Sequence, residues 1–195
     1  MSKVRKIATI ALGRGLNTIV NFLFLPYLSR TLSYTDYGSY GQTLLIITFV
    51  VALLSLGLPQ IIYVFLNSHT PKDVLTSSVF GSILLGIIGV CFILIFNQTI
   101  AEYFGNRELS SLLSLYSVTL VLILPFQILN SYLIYKGKVK VSATIALLTN
   151  FIKIILVFIA IHYLESVYYA FVGILCSQVI QLIIGVVYAL SLIHI

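Results

Sequence analysis

The first apolar stretch of the sequence reads IATIALGRGLNTIVNFLFLPYL and covers residues 7–28. About 22 residues at 1.5 Å of rise each extend over roughly 33 Å, enough to cross a bilayer core of roughly 30 Å. The stretch therefore predicts a membrane-spanning helix. Arg14 lies about two turns inside it and shares a helix face with Asn17 and Asn21. A polar stripe on a membrane helix is a candidate functional feature.

The composition is that of an integral membrane protein. Of the 195 residues, 60% are hydrophobic and 8% are charged, and the mean hydropathy is +1.12. A soluble domain of this length needs more polar surface. The net charge of +6 does not predict a nucleic-acid partner, because the cations lie at the ends of apolar segments and form no patch. Cys91 and Cys176 fall inside apolar segments, so we expect neither to bind metal or form a disulfide.

Six apolar runs predict the fold class: an all-α, polytopic membrane protein with a six-helix bundle as its single domain, over residues 1–195. The predicted spans cover approximately residues 7–28, 41–66, 78–97, 111–135, 142–164 and 167–195. Pro59 and Pro125 lie within the second and fourth spans, where each is expected to bend its helix. Ser82, Gly86 and Gly89 share one face of the third span, a small-residue pattern that favours close helix packing.

The distribution of positive charge predicts the orientation in the membrane. With a cytoplasmic N-terminus, the cytoplasmic side carries Lys3, Arg5, Lys6, Lys72, Lys136, Lys138 and Lys140. The opposite side then carries only Arg30 and Arg107. The apolar first run is too long for a secretory signal and has no small-x-small cleavage site, so we expect it to be retained.

Arg14 and Lys153 are the two cations inside the predicted spans. A central lysine costs roughly 2.5 to 3.5 kcal/mol on insertion scales, and Lys153 lies roughly 16 Å from either end of its span. It therefore needs a water-filled cavity, a partner or a shifted pKa. Arg14 is only about 10 Å from the cytoplasmic edge, so snorkelling explains it as well as a cavity does.

All five acidic residues fall in predicted loops, so neither cation has an expected carboxylate partner in a span. This favours an anionic ligand with many hydroxyl groups, such as a phosphorylated glycan. For Lys153, pairing with backbone carbonyls or with an acid of another chain stays an alternative.

Neutral polar side chains recur on the spans near the prolines and the two cations. Our hypothesis is that Arg14 and Lys153 bind substrate together with Asn17, Asn21, Gln60, Gln127, Asn130, Asn150, Gln178 and Gln181. The alternative is that these amides only join helices by hydrogen bonds. No spacing of histidines and acids predicts a metal site, and no nucleophile elbow or glycine-rich phosphate loop is present. We therefore expect no catalytic residue, no metal and no cofactor, and we do not expect an enzyme.

The link LSRTLSYTDYGSY, residues 28–40, resembles the signature of polysaccharide flippases, in which a leucine-arginine segment leads into Asp-Tyr-Gly. The matching residues are Arg30, Leu32, Asp36, Tyr37 and Gly38. The segment LGLPQ, residues 56–60, is similar to the second helix of the same family. With its basic N-terminus and six spans, the chain resembles the N-terminal half of an O-antigen or capsule flippase. That family belongs to the multidrug/oligosaccharidyl-lipid/polysaccharide exporter superfamily.

The resemblance implies a carrier in the bacterial inner membrane that moves an undecaprenyl-pyrophosphate-linked oligosaccharide to the periplasmic leaflet by alternating access. Its partners would be the lipid bilayer and this lipid-linked substrate. Family members have about twelve or more helices. We therefore expect this chain to be a fragment, a truncated product, or a half that pairs with a second six-helix half or another copy. Two other functions stay open: a multidrug or cation exporter of the same superfamily, and a non-transporting membrane protein.

Overall fold

A computed structural model describes residues 3–66 and 70–193, with the side chains of residues 3–10, 12–14, 71 and 193 outside the description. All regular elements in these ranges are helical, which confirms the predicted all-α class. The helices are α1 (Lys3–Thr31), α2 (Tyr34–Leu54), α3 (Leu58–Phe65), α4 (Pro71–Tyr103), α5 (Glu108–Tyr116), α6 (Thr119–Tyr135), α7 (Val139–Leu164) and α8 (Val167–Ile193).

Five helical segments within the described part are long and apolar enough to cross a membrane. They are Tyr34–Phe65, Lys72–Tyr103, Glu108–Tyr135, Val139–Leu164 and Val167–Leu192. The first predicted span lies in α1, partly in residues whose side chains are not described, and is not among these five. The chain is therefore an all-α, multi-pass membrane protein.

The helices are longer than the apolar runs, so the links between them are shorter than expected. The link between α1 and α2 is reduced to Leu32 and Ser33. The Ser33 hydroxyl accepts a hydrogen bond from the Asp36 backbone N–H at 3.0 Å and donates one to the Asp36 carboxylate at 2.8 Å. Asp36 therefore lies in the capped first turn of α2, where the free N–H groups favour an acid, and not in a loop as predicted.

A turn at residues 55–57 divides the second predicted span into α2 and α3. Gly57 has a φ of 80°, which glycine adopts without the steric cost that a Cβ would add. Pro59 follows in the first turn of α3, where the missing N–H has no helical partner to lose. The predicted bend at Pro59 is therefore wrong in its position, because the helix is interrupted at residues 55–57 and Pro59 lies in the first turn of the next helix.

The predicted small-residue face of α4 packs closely against α6. A Cβ added to Gly86 would lie 2.9 Å from the Leu120 carbonyl oxygen and 2.9 Å from the Val121 Cα. A Cβ on Gly89 would meet side-chain atoms of Leu120 at 2.9 Å. The expected packing role of this face is confirmed.

α7 packs mainly against α8, and α1 packs mainly against α7.

Buried apolar side chains form two clusters along the bundle. One lies near the link between α1 and α2 and includes Tyr40, Tyr116 and Phe171. The other lies near the connection from α3 to α4 and includes Ile62 and Tyr132. The Tyr40 and Tyr116 rings pack on the Phe171 ring with centroid distances of 5.3 and 4.7 Å. These two tyrosines also border the site described below.

Candidate functional site

A cavity of about 370 Å³ lies among α1, α2, α5, α6, α7 and α8, and we call it the polar cavity. Its volume is within the range of roughly 300 to 1,000 Å³ that is common for small-molecule sites. Its polar lining residues are Asn17, Asn21, Tyr40, Tyr116, Thr149, Asn150, Lys153, Ser177, Gln178 and Gln181. The remaining lining residues are apolar: Leu44, Ile123, Ala146 and Ile174.

Lys153 connects the two helices α1 and α7 at this cavity. Its Nζ donates a hydrogen bond to Asn21 Oδ1 at 2.8 Å, between positions 132 residues apart. Asn21 Nδ2 in turn donates to the Asn17 backbone carbonyl at 2.9 Å, so the amide is oriented by its own helix. The Asn21 oxygen gives the ammonium an acceptor but carries no formal charge, so the positive charge of Lys153 remains.

Lys153 is the sole charged side chain on the polar cavity among the described residues. All five acidic residues are in the described part of the chain, and none lines this cavity. In a low-dielectric interior, a cation without a carboxylate partner attracts an anion more strongly than it would in water. The cavity is therefore suited to an anionic group.

The α8 side of the cavity presents Ser177, Gln178 and Gln181. Gln178 Oε1 accepts a hydrogen bond from Thr119 Oγ1 at 2.8 Å, which fixes the orientation of this amide. On the opposite side, the buried Asn17 Oδ1 accepts no hydrogen bond from the described side chains. Buried polar atoms of this kind usually have a partner. Donors and acceptors therefore surround the lysine on several walls.

Six of the predicted site residues meet at the polar cavity, although they come from three separate helices. They are Asn17, Asn21, Asn150, Lys153, Gln178 and Gln181. Gln60 is exposed on α3 and Gln127 is half-buried on α6, and neither lines the polar cavity. Asn130 instead accepts a hydrogen bond from Ser142 and joins α6 to α7. The Arg14 side chain lies outside the described residues.

Four polar lining residues were missing from the predicted set: Tyr40, Tyr116, Thr149 and Ser177. The signal for Tyr116 in the sequence is its position five residues inside the predicted span at residues 111–135, whereas an interfacial tyrosine lies at a span end. Thr149 and Ser177 are the sequence neighbours of Asn150 and Gln178, which were in the predicted set, so their position beside the site was predictable. Tyr40 had no comparable signal, since it lies close to the start of α2 like an interfacial tyrosine.

Within residues 3–66 and 70–193, no group of three or more His, Cys, Asp or Glu side chains is arranged so that it could bind a metal ion. Cys91 and Cys176 are unpaired and exposed on the helix surfaces.

The comparisons with known proteins give one match. The family described as polysaccharide biosynthesis protein matches residues 4–193, a range that includes every residue of the polar cavity. No curated protein and no solved structure matches the chain. The match confirms the family indicated by the Asp36-Tyr37-Gly38 signature and its flanking residues. The chain belongs to the polysaccharide biosynthesis protein family.

Proposed function

We propose that the protein is a flippase that moves a lipid-linked oligosaccharide across the bacterial inner membrane for polysaccharide biosynthesis. The observation that carries this proposal is the pairing of Lys153 with the neutral amide of Asn21 in a polar cavity within a membrane bundle. Membership of the polysaccharide biosynthesis family supports a glycan-bearing substrate. An undecaprenyl-pyrophosphate carrier supplies the anionic group that Lys153 favours.

Each part of the polar cavity has a chemical role in this proposal. The Lys153 ammonium binds the pyrophosphate or an acidic sugar through a charge-assisted hydrogen bond. The amides of Asn17, Asn150 and Gln181 bind sugar hydroxyls, because an amide offers both a donor and an acceptor. The cavity volume of about 370 Å³ fits the phosphate-proximal part of the head group and leaves the distal sugars outside it.

The bundle formed by residues 1–195 acts in this proposal as one wall of the transport path. The N-terminus and the lysine-rich link after α6 lie on the cytoplasmic side, as the seven cations there predict. A second six-helix half or another copy of the chain supplies the opposite wall, and relative movement of the two walls exposes the cavity to each side in turn.

The cation exporter of the same superfamily is the main rival function. A carrier of drug cations, protons or sodium requires acidic groups on its path, whereas no carboxylate lines the polar cavity. Drug efflux that persists while surface polysaccharide is unaffected would favour this rival.

The test uses a strain that lacks the protein and expresses variants of it. Lys153→Ala removes the ammonium, and we expect surface polysaccharide to fall at least about tenfold, because a hydrogen bond to a charged group contributes roughly 1.5 to 3 kcal/mol. Lys140→Ala is the matched control, since Lys140 lies in the same helix, is exposed and does not line the polar cavity. Membrane levels of both variants are measured by immunoblot. Normal export by Lys153→Ala at a normal membrane level contradicts the proposed role.

A further inference from the structure

A second cavity of about 460 Å³ adjoins the polar cavity along α1, and we call it the apolar cleft. Most of its lining is hydrocarbon, from Phe22, Phe24, Leu25, Leu28, Leu44 and Val157. Three of its four polar residues, Asn21, Tyr40 and Lys153, also line the polar cavity. The two cavities therefore meet at Lys153, and the lining of the apolar cleft is the richer of the two in hydrocarbon.

This arrangement fits a molecule in which an anionic group joins a hydrocarbon chain to a polar head group. Hydrocarbon gains free energy by leaving water for apolar surroundings, whereas hydroxyl groups lose free energy there without hydrogen bonds. A head group in the apolar cleft would face mainly Phe and Leu side chains. A hydrocarbon chain in the polar cavity would cover amides and hydroxyls. An anionic amphiphile with its anion at Lys153 therefore fits best with its hydrocarbon chain in the apolar cleft and its hydroxyl groups in the polar cavity.

The rim of the apolar cleft lies at the outer surface of α1. Phe22 is 68% exposed and Leu25 is 44% exposed, although both line the cleft. Leu28 and Val157 are fully buried and form its interior. A hydrocarbon chain can therefore extend from the interior beside Lys153 to the surface of α1.

We propose that the apolar cleft binds the first part of the substrate's lipid chain, with the adjoining phosphate at Lys153. This rests on the proposed function, because it takes the lipid-linked substrate as the ligand of the polar cavity. The cleft and the polar cavity then recognise the junction between lipid and phosphate, a feature shared by substrates with different sugars.

The test uses tryptophan fluorescence, because the sequence contains no tryptophan and a single introduced one reports only its own site. Leu25→Trp places the reporter on the cleft, and Phe22→Trp is a second cleft reporter in case the first variant is poorly folded. Leu23→Trp is the matched control, since Leu23 is 67% exposed on the same helix and lines neither cavity. The purified protein in nanodiscs is titrated with a single-chain alkyl phosphate brominated near its phosphate, and separately with an alkyl maltoside carrying the same chain.

We expect the brominated phosphate to quench the fluorescence of the Leu25→Trp and Phe22→Trp variants saturably. The Leu23→Trp control should be quenched only in proportion to the concentration of the phosphate in the bilayer. Adding Lys153→Ala should raise the apparent Kd at the cleft reporters at least about tenfold. Equal quenching at the cleft and control positions, or equal quenching by the neutral maltoside, overturns the proposal by indicating ordinary bilayer lipid. Saturable quenching that Lys153→Ala leaves unchanged overturns it as well.

The two proposals fail in distinguishable ways. If Lys153→Ala abolishes export but quenching at the cleft reporters is not saturable, only the lipid-chain site is wrong. If Lys153→Ala exports normally, the proposed function of the polar cavity is wrong whatever the quenching shows.

Discussion

At the scale of single residues, the partner of Lys153 decides what the polar cavity can bind. An acid at the position of Asn21 would neutralise the ammonium, and the cavity would then have no net charge. The Asn21 amide oxygen, 2.8 Å from Lys153 Nζ, accepts a hydrogen bond from one N–H of the ammonium but does not neutralise its positive charge. At position 21, an acid would therefore favour stability through an ion pair with Lys153, whereas a neutral amide favours anion binding.

Substitutions of Asn21 separate these two demands. Asn21→Asp gives Lys153 a charged partner, so we expect an unchanged or higher Tm and loss of polysaccharide export, because the carboxylate competes with the anionic substrate. Asn21→Leu removes the acceptor, and we expect a cost of about 1 to 3 kcal/mol in the free energy of unfolding. That cost corresponds to a lower Tm by several degrees in a chain of this length. Both quantities are measured on the same variants, by thermal unfolding and by surface polysaccharide assay.

A purely structural role for the Lys153–Asn21 pair makes the opposite prediction. The Asn21→Asp variant would then export normally, because an ion pair with Lys153 would still hold α1 against α7.

At the scale of helices, the contact between α4 and α6 brings the two backbones together. Gly86 is buried, and the atoms nearest to an added Cβ are backbone atoms of Leu120 and Val121, which cannot move aside as a flexible side chain can. Close approach of this kind is how small residues stabilise membrane helix pairs, since lipid provides no hydrophobic drive for association.

Two glycine substitutions in α4 test the importance of this contact. Gly86→Ala should lower the free energy of unfolding by about 1 to 3 kcal/mol, because the new methyl group forces the helices apart. Gly81→Ala is the control, since an added Cβ there has no heavy atom within 4 Å and alanine favours the helix. We expect the Tm of Gly81→Ala to be unchanged or slightly higher in the same detergent. Equal effects of the two substitutions would contradict the packing model.

At the scale of the whole molecule, the fold was predictable to the extent that it depends on local sequence. Hydropathy runs are local, and they predicted an all-α membrane protein. Helix ends were less predictable, because capping extends helices into polar residues, as Ser33 does for α2. The turn at Gly57 was not predicted, because the apolar run continues through it.

The candidate site was predictable where helical periodicity was sufficient. Asn17 and Asn21 share a face of α1, Asn150 and Lys153 share one of α7, and Gln178 and Gln181 share one of α8, and all six reach the polar cavity. Which faces meet depends on how the helices rotate against one another, which sequence spacing does not determine. Gln60 and Gln127 were therefore grouped with residues that the bundle places elsewhere. The Lys153–Asn21 hydrogen bond, between helices far apart in sequence, was not predictable for the same reason.

The orientation of the bundle in the membrane is the prediction that concerns the whole chain. Because positive residues resist translocation, the seven cations on one side against two on the other predict that the link after α6 lies in the cytoplasm and the link after α4 outside. In a background with Cys91 and Cys176 replaced by serine, Arg107→Cys should react with a membrane-impermeant maleimide in intact spheroplasts, and Lys138→Cys only after lysis. Both positions are exposed in the bundle, so burial does not limit either reaction. The reverse labelling pattern would invert the proposed topology and place Lys72 and the lysine-rich link outside, against the charge asymmetry. It would leave the polar cavity's chemistry intact, because Lys153 lies well inside α7 in either orientation.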